Sequence, residues 1–150
     1  MADRAGALDR ILELVVMLSD DMTRRLAADG LTTSRSAVLW HLHHNGPVPQ
    51  RDLAEALHVT ARTITGLVDG LEKTGFVTRE PHPTDRRATL VTLTGKARKT
   101  VDTLEREQEG FVELLFGELT ADRFDCFVAG LDHVLGKLRS AGLHPVLEEQ

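Results

Sequence analysis

Apolar residues recur at three- and four-residue steps through residues 7–28, where Leu8, Ile11, Leu12, Val15, Leu18, Met22 and Leu26 form one stripe. The spacing predicts a helix about 33 Å long at roughly 1.5 Å per residue. Thr33 or Ser34 is placed to cap a second helix that runs to about His44, where Asn45-Gly46-Pro47 stops it. A short helix is expected over QRDLAEAL, residues 50–57. His58 and Val59 then make a tight connection to Thr60, an N-cap for a helix over 61–74 that ends at Gly75.

The period changes after Gly75. FVTRE (76–80) and ATLVTL (88–93) are rich in β-branched residues, and the PHPTDRR between them holds two prolines that neither strand can absorb. They predict a β-hairpin with a charged tip. Thr94 can cap a long polar helix over 95–117, and Thr120 or Asp122 a last helix. The apolar positions of that last helix are Phe124, Phe127, Val128, Leu131, Val134, Leu135 and Leu138. The order is α-α-α-α-β-β-α-α, a mainly α protein with a small β-hairpin.

Helix, tight turn, helix and hairpin is the order of a winged helix-turn-helix, whose second helix enters the major groove of DNA. A helical wheel over 61–74 places Ile64, Leu67, Val68 and Leu71 on one side, to pack on the preceding helices. Arg62, Thr65, Gly66, Asp69 and Lys73 fall on the other. That outward face is polar and carries an arginine, which can pair bidentately with guanine O6 and N7. Asp85, Arg86 and Arg87 occupy the hairpin tip, where arginine can enter the negative potential of a narrow minor groove. Gln50 and Arg51 open the short helix and can meet a phosphate. The candidate DNA contacts are therefore Gln50, Arg51, Thr60, Arg62, Thr63, Thr65, Gly66, Lys73, Arg86 and Arg87. Asp69 would repel phosphate unless it pairs with Arg79 or Arg86, so Asp69, Arg79 and Asp85 are read as supports of the wing.

Charge sharpens this picture. The 150 residues carry 18 basic and 23 acidic side chains, a net charge of −5, which spread evenly would disfavour nucleic acid. Residues 1–30 hold 4 basic and 6 acidic groups (−2), residues 31–99 hold 10 and 6 (+4), and residues 100–150 hold 4 and 11 (−7). A basic middle between acidic ends suits a middle that faces a polyanion. No apolar run approaches the ~20 residues of a membrane span. The first residues interleave acids with apolar positions, unlike a signal peptide, and a cytoplasmic protein is expected. The single cysteine, Cys126, excludes an internal disulfide framework.

The stretch GPVPQRDLAEALHVTARTITGLVDGLEKTGFVTREPHPTDRRATLVTLTGKAR (46–98) resembles the core of the MarR family of bacterial transcription regulators. Its wing signature is matched by Asp85, Arg86 and Arg87 and then by Val91–Gly95. The flanking helices fit the family's dimerisation helices in number and length. The resemblance implies a winged helix-turn-helix domain at 31–94 and a helical dimerisation region at 1–30 and 95–150. It also implies a homodimer on a palindromic operator, usually a repressor, with no cofactor. Many members release DNA when a small lipophilic or aromatic anion binds between the dimer helices and the winged domain. That places a pocket at Arg10, Val15, Ser19, Trp40 and His41. The family often carries a basic residue where this chain has Gly66 and Gly70.

Three other readings compete with this one. His41 and His44 share a helix face at i, i+3, but a structural metal site wants four ligands and no carboxylate or cysteine stands at short range, so no metal is assigned. A redox-responsive regulator would have to use Cys126, whose neighbours Asp122 and Asp125 disfavour a reactive thiol. An enzyme lacks support, since no phosphate-cradling glycine loop, nucleophile elbow or HExxH helix is present. The remaining competitor is a winged module used for protein contact alone.

Overall fold

The computed structural model describes residues 3–145 and Leu147, and it divides into two compact units, one running to Arg98 and the other beginning at Lys99. In the first unit, α1 (Arg4–Ala28) is followed by α2 (Thr33–Asn45), β1 (Val48–Pro49), α3 (Gln50–Ala56) and α4 (Ala61–Lys73). Strands β2 (Val77–Pro81) and β3 (Thr89–Leu93) come next, then α5 (Gly95–Phe116) begins; α6 (Ala121–Ser140) belongs to the second unit. Every predicted helix and both predicted strands are present within a few residues of their expected limits.

Local chemistry explains the boundaries. Thr60 caps α4, its side chain accepting from the Thr63 backbone N–H at 3.1 Å. At the other end Gly75 takes φ +80°, a left-handed conformation that frees the Phe76 N–H to reach the Leu71 carbonyl at 2.8 Å. Thr94 caps α5 through the Ala97 N–H. One expectation about caps needs correction. Helix α2 is capped by Thr32, which accepts from the Arg35 N–H, because Thr33 and Ser34 are already inside the first turn. Of the two candidates for α6, Thr120 is the cap residue, with no side-chain cap bond.

The expected hairpin is part of a three-stranded antiparallel sheet in the order β1-β3-β2. Strands β2 and β3 pair with Val77 opposite Leu93 and Arg79 opposite Val91, and β1 adds Val48 opposite Val91 on the other side. Two residues are too few for an alternation signal, and Pro47 and Pro49 read as turn residues. Proline is tolerated because β1 is an edge strand. The first unit's core is the apolar side of α4 (Ile64, Leu67, Val68, Leu71) with Val38, Leu39 and Leu42 of α2, Leu53 of α3, and Phe76, Val77 and Val91 around the sheet. Burying α4 on this side turns Arg62, Thr65, Asp69 and Lys73 outward.

The apolar stripe of α1 behaves differently. Only Leu26 at its end is buried, while Leu8, Ile11, Leu12, Val15, Leu18 and Met22 remain 36–56% exposed. In the second unit, Phe116 of α5 packs edge-on against Phe124 of α6 at 5.3 Å between ring centres, yet Phe124, Phe127, Val128, Leu131, Leu135 and Leu138 are 36–43% exposed. None of the helices among the described residues is long and apolar enough to cross a membrane.

Leu67→Ala removes a fully buried side chain at the centre of the first unit. The expected loss is about 2–5 kcal/mol of unfolding free energy, measured as a fall in the denaturant midpoint with the slope unchanged.

Candidate nucleic-acid interface

Helix α4 presents its outward face between two other surfaces, the start of α3 and the β2–β3 wing. One side chain ties the three together. Arg79, on β2, donates from Nη2 to Asp69 Oδ1 at 2.6 Å and to Gln50 Oε1 at 3.1 Å, and from Nη1 to Glu72 Oε2. Gln50 in turn donates from Nε2 to Thr65 Oγ1 at 2.8 Å, and Thr65 donates to the Ala61 carbonyl at 2.7 Å. Of the two partners expected for Asp69, Arg79 is the one found. Burial works to lower the Arg79 pKa, but the hydrogen bonds and charges of Asp69 and Glu72 outweigh it, so the guanidinium is held charged above its usual value. Asp69 thereby has a cation of its own chain beside it, although one guanidinium shared with Glu72 leaves the three groups at a net charge of −1.

The wing tip is shaped by side chain-to-backbone bonds. His82 Nδ1 accepts from the backbone N–H of Thr84 at 3.2 Å and of Asp85 at 3.0 Å, which places the ring proton on Nε2. Asp85 Oδ1 accepts from the Arg87 N–H at 2.9 Å, and the Ala88 N–H returns to the Asp85 carbonyl. Asp85 therefore shapes the turn while Arg86 and Arg87 stand exposed on it.

The other candidates fall as follows. Arg62, Thr65 and Lys73 are exposed on α4, and Gly66 is half-buried. Thr60 and Thr63 bond to each other at 3.0 Å at the helix start. Arg51 is exposed, with Glu55 at 3.7 Å and Asp52 at 4.0 Å. Gln50 is half-buried; its carbonyl accepts from Arg79 and one of its two amide N–H groups goes to Thr65. The expected effector residues are less assembled. Val15 and Ser19 are exposed, and Arg10 turns back to the Gly6 carbonyl on its own helix. Trp40 and His41 are half-buried, and the Trp40 ring stacks on His44 at 5.7 Å with His43 edge-on at 6.1 Å.

Three residues were missed by sequence reasoning. Glu72 and His82 gave no signal beyond a charge and a loop histidine. Arg35 of α2 lies over Gly70, where an added Cβ would come within 2.5 Å of its Nη2 and 2.9 Å of its Cζ. The glycine in α4 thus makes room for a cation that comes from another helix, at a position where the family often carries its own basic residue.

A buried three-helix core, a groove-sized outward helix and a braced wing with two arginines at its tip define a winged helix-turn-helix DNA-binding protein. The profile of the MarR family matches residues 22–89. The HTH-type transcriptional regulator PrsX of Escherichia coli is 30% identical over 112 residues, covering 73% of this chain and 68% of PrsX. The transcriptional activatory protein BadR of Rhodopseudomonas palustris is 34% identical over 117 residues, and there the chain spans 65% of the relative's length. Among solved structures, apo wild-type MarR from Escherichia coli superposes with a TM-score of 0.61 at 26% identity, over 87% of this chain and 96% of that one. The chain belongs to the MarR family of transcription regulators.

Asp69→Ala removes a negative charge from the outward side of α4, so simple electrostatics would tighten DNA binding. If its service is to hold Arg79, the substitution should instead weaken affinity, about tenfold for a loss near 1.4 kcal/mol. Titration of a labelled duplex compares the two outcomes directly, and tighter binding would mean that Asp69 only repels.

Proposed function

We propose that the chain is a cytoplasmic, homodimeric repressor that reads a palindromic operator with α4 and grips the flanking minor groove with Arg86 and Arg87. The observation that carries this reading is the Arg79 fork, which joins the outward helix to the wing as one surface. Arg62 and Lys73 supply cations on the helix, and the wing arginines extend the positive surface beyond it. The excess of four positive charges across residues 31–99, 10 basic against 6 acidic, suits this surface.

Homodimerisation through residues 1–30 and 95–150 is supported by the exposed apolar residues of α1 and α6, which a lone chain leaves in water. Residues 1–2, 146 and 148–150 of that region lie outside the described residues. A symmetric pair would set two α4 helices ~34–36 Å apart, one turn of DNA, and demand a palindrome. Control by a small aromatic acid is the finest part of this reading. It rests on the half-buried Trp40 and His41, and it requires a ligand that prefers the dimer whose α4 helices are wrongly spaced.

Binding to random duplex, followed over a range of salt, tests the basic claim. A steep fall of affinity with salt is expected, because each neutralised phosphate releases counterions. Failure to bind any duplex would leave the winged module to protein contacts.

Arg86→Ala should weaken operator binding by about 1–3 kcal/mol without loss of fold, read by duplex titration beside a thermal melt. Leu131→Asp or Leu135→Asp should abolish dimer and operator binding together. Sedimentation of a wild-type monomer at micromolar concentration, still bound to its operator, would contradict the dimer. Aromatic acids should quench or shift the fluorescence of Trp40, the only tryptophan, over the concentrations that release DNA. A broad panel that moves neither signal up to millimolar levels removes the effector from the proposal.

A further inference from the structure

We propose that Thr65 is a specificity-determining residue that accepts a hydrogen bond from an exocyclic amine in the major groove, the N6 group of adenine or the N4 group of cytosine. This rests on the reading of α4 as the helix that enters the groove.

The inference follows from the direction of each hydrogen bond leaving Arg79. A guanidinium has five N–H donors and no acceptor. The end of the Gln50 amide that lies 3.1 Å from Arg79 Nη2 must therefore be its carbonyl oxygen. The opposite end is then the amide nitrogen, which must donate across 2.8 Å to Thr65 Oγ1. A threonine hydroxyl has one proton and two lone pairs. Its proton goes to the Ala61 carbonyl at 2.7 Å, and the Gln50 amide takes one lone pair. The exposed hydroxyl is left with a single lone pair to offer.

A free hydroxyl rotates and serves either as donor or as acceptor, so it reads little. This one can only accept. In the major groove the amines of adenine and cytosine are donors, whereas guanine O6, the purine N7 atoms and thymine O4 are acceptors. Thr65 opposite one of those oxygens would bring two acceptors together and leave both without water, unless it broke its bond to Ala61. The side chain that fixes the wing thus also fixes, through Gln50, what α4 can recognise.

Selection of bound duplexes from a random pool by the full chain, its Thr65→Val variant and its Thr65→Ser variant tests this. The wild type should favour one base pair at one position of each half-site, A·T if the adenine amine is read and G·C if the cytosine amine is read. Thr65→Val, nearly the same shape without the oxygen, should lose about three- to tenfold of the preference at that position alone. Thr65→Ser should retain it. Replacing that base by its analogue without the exocyclic amine, purine for adenine or 2-pyrimidinone for cytosine, should weaken wild-type binding by the same factor and leave Thr65→Val indifferent. A Thr65→Val variant that is folded by circular dichroism and reads every position as the wild type does would overturn the proposal, as would wild-type binding unchanged by removal of the exocyclic amine at the position that Thr65→Val affects. If the wild type selects no sequence at all, the groove-reading role of α4 fails first. If it selects an operator that the valine variant reads identically, only the role of Thr65 fails.

Discussion

The fork of Arg79 is the contact on which the outward surface of α4 and the wing depends. From β2 it reaches two carboxylates one turn apart on α4 and the amide that opens α3. A planar guanidinium can hold several acceptors in fixed directions at once, which an ammonium on a flexible stem cannot do as well. The Arg79 side chain is 27% exposed and Asp69 60%, so the pairing lies in partly solvated surroundings where ion pairs add little to stability. Its worth is directional. It aligns the β2–β3 hairpin with a helix anchored by four buried apolar residues.

That arrangement divides the work between burial and polar contact. The core of the first unit sets which side of α4 faces out, and β1, by pairing with β3, holds the sheet from the edge opposite β2. Lys96 adds a tie where α5 begins, donating to the Thr74 carbonyl at 2.8 Å and lying 4.3 Å over the Phe76 ring. The polar chain from Arg79 through Gln50 to Thr65 then decides how the outward groups are oriented. Apolar surface on α1 and α6 is treated in the opposite way and stays exposed in the single chain.

Much of this was legible in the sequence because it rests on periodicity. The stripe Ile64, Leu67, Val68 and Leu71 specifies both the helix and its buried side, and Thr60 and Gly75 mark its ends through their local chemistry. The need for a partner at Asp69 could be deduced from its place on an otherwise basic surface. What could not be read depends on contacts between residues distant in the chain. That the Gln50 carbonyl serves Arg79, 29 residues away, is set by the fold and by no local pattern. Arg35 over Gly70 joins two helices through a close approach that no spacing rule encodes. Strand β1 is too short for any period, and exists only because β3 offers it a free edge.

A double-mutant cycle on duplex affinity, with Asp69→Asn, Arg79→Met and the pair combined, measures the central interaction most directly. If the two side chains act on DNA binding as one brace, the combined variant should bind about as weakly as Arg79→Met alone, with a coupling energy of roughly 1 kcal/mol or more. Losses that add in full, with no coupling, would contradict a wing positioned by this contact.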